Sequence, residues 1–178
     1  VCAVDVSEDG ARSYRLQTHS SVAAAGGAGG VVTHGGACGL CSSLQDLAVY
    51  AAYPDLTDPV RQCSLLGFLG ERSDTVACLV DLGFTEPCAD IWAYNAQNTQ
   101  EACQEPCLAQ LGDPYHDEDG SLNTCLQCDE DESGPVFKAV AGRTRRNSGL
   151  ATALCRPCET VWRTAPPASR PRVPPPLE

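Results

Sequence analysis

Polar and apolar positions alternate over the first twenty residues, then change rhythm. Val4 and Val6 lead into Glu8-Asp9-Gly10, and Tyr14, Leu16 and Thr18 follow on one face, the pattern of a β-hairpin across residues 1–20. Residues 21–37 hold six glycines among alanines and keep no period, so the segment is read as a flexible loop or as backbone packed closely against another part of the chain. Apolar residues then recur at helical spacing. Ser42 or Ser43 caps a helix over residues 44–52, with Leu44, Leu47 and Ala51 on one face. Thr57-Asp58-Pro59 starts a second helix over residues 60–68. Ser73 or Asp74 starts a third, which carries Val76, Leu79 and Val80 and stops at Gly83. Thr85-Glu86-Pro87 opens the longest, from Cys88 to about Gln104, and a short turn over residues 107–111 completes a helical body spanning about 42–111.

Beyond that body the periodicity fades. An acidic loop covers 113–132, and a basic segment over 134–164 is ambiguous between a helix and a strand pair turning at Asn147-Ser148-Gly149. From Ala165 the prolines at 166, 167, 171, 174, 175 and 176 favour an extended tail or linker over 165–178. The elements predict a small disulfide-rich α+β domain over 1–164, mainly short helices with an N-terminal β-hairpin and a Pro-rich tail.

Twelve cysteines change the picture most. Cys2, Cys38, Cys41, Cys63, Cys78, Cys88, Cys103, Cys107, Cys125, Cys128, Cys155 and Cys158 make an even count that suits six disulfides, and dense disulfides persist in oxidising compartments. The expected location is therefore extracellular, and the start at Val1-Cys2 reads as a processed or trimmed end. With three Phe and two Trp, a large aromatic core is not available. Cross-links at about 2–4 kcal/mol each are expected to supply part of the stability.

Charge is distributed unevenly. Residues 1–132 carry 21 acidic and 4 basic side chains, and residues 133–178 carry 8 basic and 2 acidic ones. A basic segment lying along an acidic body accounts for this, as does a bipolar molecule that meets another extracellular protein, the matrix or its own copy. Nucleic acid is not an expected partner, because the overall field repels phosphate. No membrane span is expected, because no run approaches about 18 apolar residues.

Four motifs carry candidate chemistry. Cys38/Cys41, Cys125/Cys128 and Cys155/Cys158 are CxxC pairs, and two such knuckles can converge on zinc; six disulfides, however, use all twelve thiols. Thr33-His34-Gly35-Gly36-Ala37-Cys38-Gly39-Leu40-Cys41-Ser42 resembles the segment around the nucleophile of papain-like cysteine proteases. The resemblance spans about ten residues. It implies a nucleophile at Cys41 on a helix N-terminus, where the dipole lowers a thiol pKa; the only downstream histidine is His116, and an imidazole from His19 or His34 is the candidate base. Gly35 stands where that family has its oxyanion-hole glutamine, and Ser42 where it has an aromatic residue.

Asp117-Glu118-Asp119-Gly120-Ser121-Leu122-Asn123 resembles the middle of an EF-hand loop. The resemblance implies calcium held by Asp117, Asp119 and Asn123; both end ligands of that loop pattern are missing, at Tyr115 and Leu126. Arg143-Thr144-Arg145-Arg146 matches the R-x-R-R pattern of proprotein processing. It is read as a cleavage site, as an anion-binding patch of Arg143, Arg145 and Arg146, or as salt bridges to the acidic body. The leading reading is a secreted, disulfide-stabilised, non-catalytic structural or protein-interaction module without a cofactor. The alternatives are a thiol-dependent hydrolase or oxidoreductase using Cys41 or a CxxC pair, and a calcium-binding extracellular domain.

Overall fold

Strand β1 (Cys2–Val6) is the middle of a three-stranded antiparallel sheet of order β2-β1-β3. The computed structural model describes residues 1–6, 13–154 and 161–162. The Glu8-Asp9-Gly10 turn, Cys155, Cys158 and the proline-rich 165–178 lie outside the described residues. On one side β1 pairs with β2 (Tyr14–Thr18), with Cys2 opposite Thr18 and Val6 opposite Tyr14, which is the predicted hairpin. On the other side it pairs with β3 (Val31–His34), with Cys2 opposite His34 and Val4 opposite Val31.

The glycine-rich segment is therefore not one flexible loop. Ser21 accepts a hydrogen bond from Ala24 N (3.0 Å) and caps α1 (Val22–Gly27), whose alanines are good helix formers. Gly29, at φ +81°, reverses the chain. Gly30 passes so close to β1 that a Cβ there would meet Asp5 Oδ1 at 2.4 Å. The β-branched Val31-Val32-Thr33 then complete the sheet.

The helical body follows its predicted capping chemistry. Ser43 caps α2 (Leu44–Ala52): its Oγ accepts from Asp46 N at 3.0 Å and donates to Asp46 Oδ2 at 2.5 Å. Asp46 is fully buried and also accepts from Thr85 N (2.8 Å), the residue that caps α5 (Glu86–Ala102). One carboxylate thus locks two helix starts together. Between them run α3 (Thr57–Leu69) and α4 (Arg72–Asp81), the latter entered through a reciprocal capping box of Glu71 and Asp74. The predicted turn at 107–111 is helix α6 (Gln104–Ala109). The acidic stretch holds a helix that periodicity alone does not show, α7 (Thr124–Glu132), capped by Asn123 Oδ1 accepting from Leu126 N at 3.0 Å. The ambiguous basic segment begins as helix α8 (Gly134–Ala141), not as a strand.

The core is small and aromatic at its centre. Tyr50 and Phe84 meet edge to face at 5.8 Å, and Trp92 packs on Phe137 at 4.6 Å, with Val49, Leu56, Leu79 and Ile91 around them. Five disulfides join described cysteines: Cys2–Cys38, Cys41–Cys88, Cys63–Cys78, Cys103–Cys128 and Cys107–Cys125. Each ties one element to a neighbour, so a disulfide-rich α+β body is what the chain forms. Among the described residues, no helix is long and apolar enough to cross a membrane.

Candidate functional site

The segment that resembles a protease nucleophile is a structural joint. Cys41 has no exposure and is bonded to Cys88, so in this state it presents no thiolate. His34 is equally buried and turns to Ser42, not to Cys41: Nε2 lies 2.8 Å from Ser42 Oγ and Nδ1 2.7 Å from Gly35 O. A carbonyl only accepts, so Nδ1 carries the proton and Nε2 takes the hydroxyl's. Burial, reinforced by the nearby Arg143 charge and only partly opposed by the Gly35 bond, lowers the His34 pKa to about 4. The imidazole is thus a neutral hydrogen-bonded core group.

Among the described residues, the Cys38/Cys41 and Cys125/Cys128 spacings form neither local bridges nor a zinc site. Cys38 and Cys41 leave for Cys2 and Cys88, and Cys125 and Cys128 for Cys107 and Cys103. The loop between Cys38 and Cys41 lies on the end of α8. Leu40 N donates to Val140 O (3.0 Å) and Cys41 N to Ala141 O (2.8 Å). Gly39 and Gly142 face each other so closely that a Cβ on Gly142 would stand 2.4 Å from Gly39 N.

Arg143 and Arg145 of the R-x-R-R run are committed inward. Arg143 has no exposure; its guanidinium donates to Cys41 O (3.0 Å), Thr33 O (3.0 Å) and Ser42 O (3.1 Å), and so stitches β3, the Cys38–Cys41 loop and α8 together. Arg145 donates to Tyr50 O, Tyr53 O and Ala151 O and lies over the Tyr50 ring. Arg146 pairs with Glu130 at 3.4 Å. A buried, bonded guanidinium is not offered to a protease or an anion, so Arg143 is a structural residue in the folded protein.

In the acidic loop, Asp119 accepts from Ser121 N (2.9 Å) and Ser121 Oγ (2.6 Å), bonds that hold its carboxyl below the usual range. Asp117 N donates to Ser121 O, and the side chain of Asn123 is divided between capping α7 and donating to Pro114 O. Asp117, Asp119 and Ser121 form a self-bonded turn around Gly120, and Asn123 is committed outside it.

What sequence reasoning missed is a cleft of about 400 Å³, largely apolar, enclosed by α3, α5, α6, α7 and the chain around 144–154. Trp92 and Phe137 form its floor, and Val60, Leu65, Phe68 and Leu108 line its α3 and α6 walls. Leu65, Phe68, Leu108 and Leu111 stand more than half exposed at its rim, at 53%, 61%, 60% and 65%. Its charged lining among the described residues is Arg61, Lys138, Arg145 and Arg146 against Asp55, Asp129 and Glu130. That excess of cations reverses the sign of a chain whose net charge is −11. Burial raises the Asp129 carboxyl above the usual range, against bonds from Thr99 (2.5 Å) and Asn95 (2.8 Å). No local pattern announces the cleft, because its walls come from separate helices. The one sequence signal is the run of apolar residues on α3, Leu65-Leu66-Gly67-Phe68-Leu69, which exceeds what one buried helix face needs.

A family described as a family of unknown function (DUF8771) has a model that matches residues 72–164. No curated protein and no solved structure matches the chain.

Proposed function

The chain belongs to that family of unknown function, and we propose that it is a secreted, non-catalytic binding module of the structural or protein-interaction kind, with the apolar cleft as its contact face. The observation that carries this reading is the exposed apolar rim around a concave apolar interior on a body held by disulfides. Isolated exposed leucines are ordinary, whereas a contiguous apolar concavity is a place where burial is still to be gained. The cross-linking supports an oxidising compartment, hence an extracellular site of action. A body cross-linked on both sides of the cleft loses little further freedom when it binds, which favours affinity. The thiol-enzyme alternative gains no support at Cys41, which is bonded to Cys88.

Two measurements test the reading. Alkylation of the native protein is expected to label no cysteine, with labelling appearing only after reduction; a reactive thiol at Cys41 in the folded protein would favour the thiol-enzyme class instead. Nile red, a neutral apolar dye, is expected to bind the native protein with blue-shifted emission. Phe68→Asp with Leu111→Asp should abolish that binding at an unchanged melting temperature. A native protein that leaves Nile red dark has no apolar contact face, and the reading fails.

A further inference from the structure

We propose that the cleft binds a long-chain carboxylate, with its hydrocarbon chain against Trp92, Phe137, Val60 and Leu108 and its head group beside Lys138 and Arg146. This rests on the cleft being the binding face, and adds the chemistry of what occupies it. The volume of about 400 Å³ lies within the range of small-molecule sites, which are concave and mostly apolar with a few placed polar groups.

The charge at one wall selects the head group. Lys138 Nζ lies 2.7 Å from Glu130 Oε2, and Arg146 NH2 lies 3.4 Å from the same oxygen. Two cations share that oxygen, and over the described lining as a whole four cations stand against three carboxylates, one positive charge in excess. A second carboxylate brought to Lys138 and Arg146 is matched by that excess, with charge-assisted hydrogen bonds.

The polar inner lining argues that the interior of the cleft takes a ligand without a peptide backbone, while the exposed rim of Leu65, Phe68, Leu108 and Leu111 is left to a protein partner. Asn95 and Thr99 are bonded to Asp129, Gln100 Nε2 to Ser64 O, and Arg145 to three carbonyls. A peptide laid in the cleft would bring N–H and C=O groups that these committed side chains cannot satisfy. A hydrocarbon chain brings none.

The test is a titration of the oxidised full chain, followed through Nile red displacement and native mass spectrometry. The probes are saturated carboxylates of increasing length and the neutral alcohol of matched length. One carboxylate per chain is expected, with affinity rising about fourfold per methylene until the cleft is full, and binding on the order of tenfold tighter than the alcohol. Lys138→Gln with Arg146→Gln should remove the preference over the alcohol and keep the chain-length dependence. Equal binding of acid and alcohol by the unaltered protein would overturn the head-group assignment without recourse to any variant. If neither ligand displaces Nile red while the dye itself binds and responds to Phe68→Asp with Leu111→Asp, the ligand class is wrong and the contact face stands. If the dye does not bind at all, both fall.

Discussion

Acidification from pH 7.5 to pH 4 bears directly on a buried imidazole. His34 is fully buried as a neutral imidazole between Gly35 O and the Ser42 hydroxyl, with a pKa of about 4. In the unfolded chain the same side chain titrates near 6.5. Between those values the unfolded state binds a proton that the folded state refuses, so stability is fully present above about pH 6.5 and declines as pH falls toward 4. At about 1.4 kcal/mol per pH unit, the whole gap is worth roughly 3 kcal/mol. The physical reason is burial: a protonated ring would hold its charge away from water and beside the Arg143 guanidinium. Urea unfolding monitored by circular dichroism at half-unit pH steps gives the curve directly. His34→Gln supplies the reference, since an amide keeps a donor and an acceptor and does not titrate. The expected difference between the two proteins grows steadily from pH 6.5 to pH 4. Parallel curves over that range would refute the assignment, as would an NMR titration placing the His34 pKa near 6.5 in the folded protein.

Other consequences are simpler to state. Gly142→Ala places a Cβ at φ +72° and 2.4 Å from Gly39 N, and should cost about 3 kcal/mol in the urea midpoint analysis. Arg143→Ala leaves the carbonyls of Thr33, Cys41 and Ser42 without their donor, for a loss of about 4 kcal/mol by thermal unfolding; Arg143→Lys, which lacks the planar fork, should recover only part of it. Cys41→Ala with Cys88→Ala opens a link between residues 47 apart, which chain entropy puts at about 4 kcal/mol, and calorimetry of the double variant measures it.

Where local chemistry decides structure, the chain was legible. Helix α2 runs over the predicted residues because Ser43 and Asp46 cap each other ahead of an apolar stripe, and the hairpin follows from Val4 and Val6 standing either side of a turn from Tyr14, Leu16 and Thr18. Helix α7 was hidden because Thr124–Glu132 carries its cap and its charges but no apolar stripe. Strand β3 was hidden because four residues behind a glycine-rich run become a strand only when β1 is there to pair with. The hardest feature was Arg143: a basic tetrapeptide looks like surface, and nothing near it in sequence foretells carbonyls waiting from β3 and the Cys38–Cys41 loop. The cleft was illegible for the same reason, since Phe68, Trp92 and Phe137 meet only through tertiary packing.

The five disulfides among the described residues never cross. Cys2–Cys38 closes before Cys41 is reached, Cys41–Cys88 encloses Cys63–Cys78, and Cys103–Cys128 encloses Cys107–Cys125. A chain oxidised from its N-terminus as it emerges therefore finds the correct partner within the segment already delivered. Among the described cysteines no bond joins one of the three blocks to another, so only the order within a nested block, where Cys63 arrives before Cys88 and Cys107 before Cys125, is left to the packing of the helices.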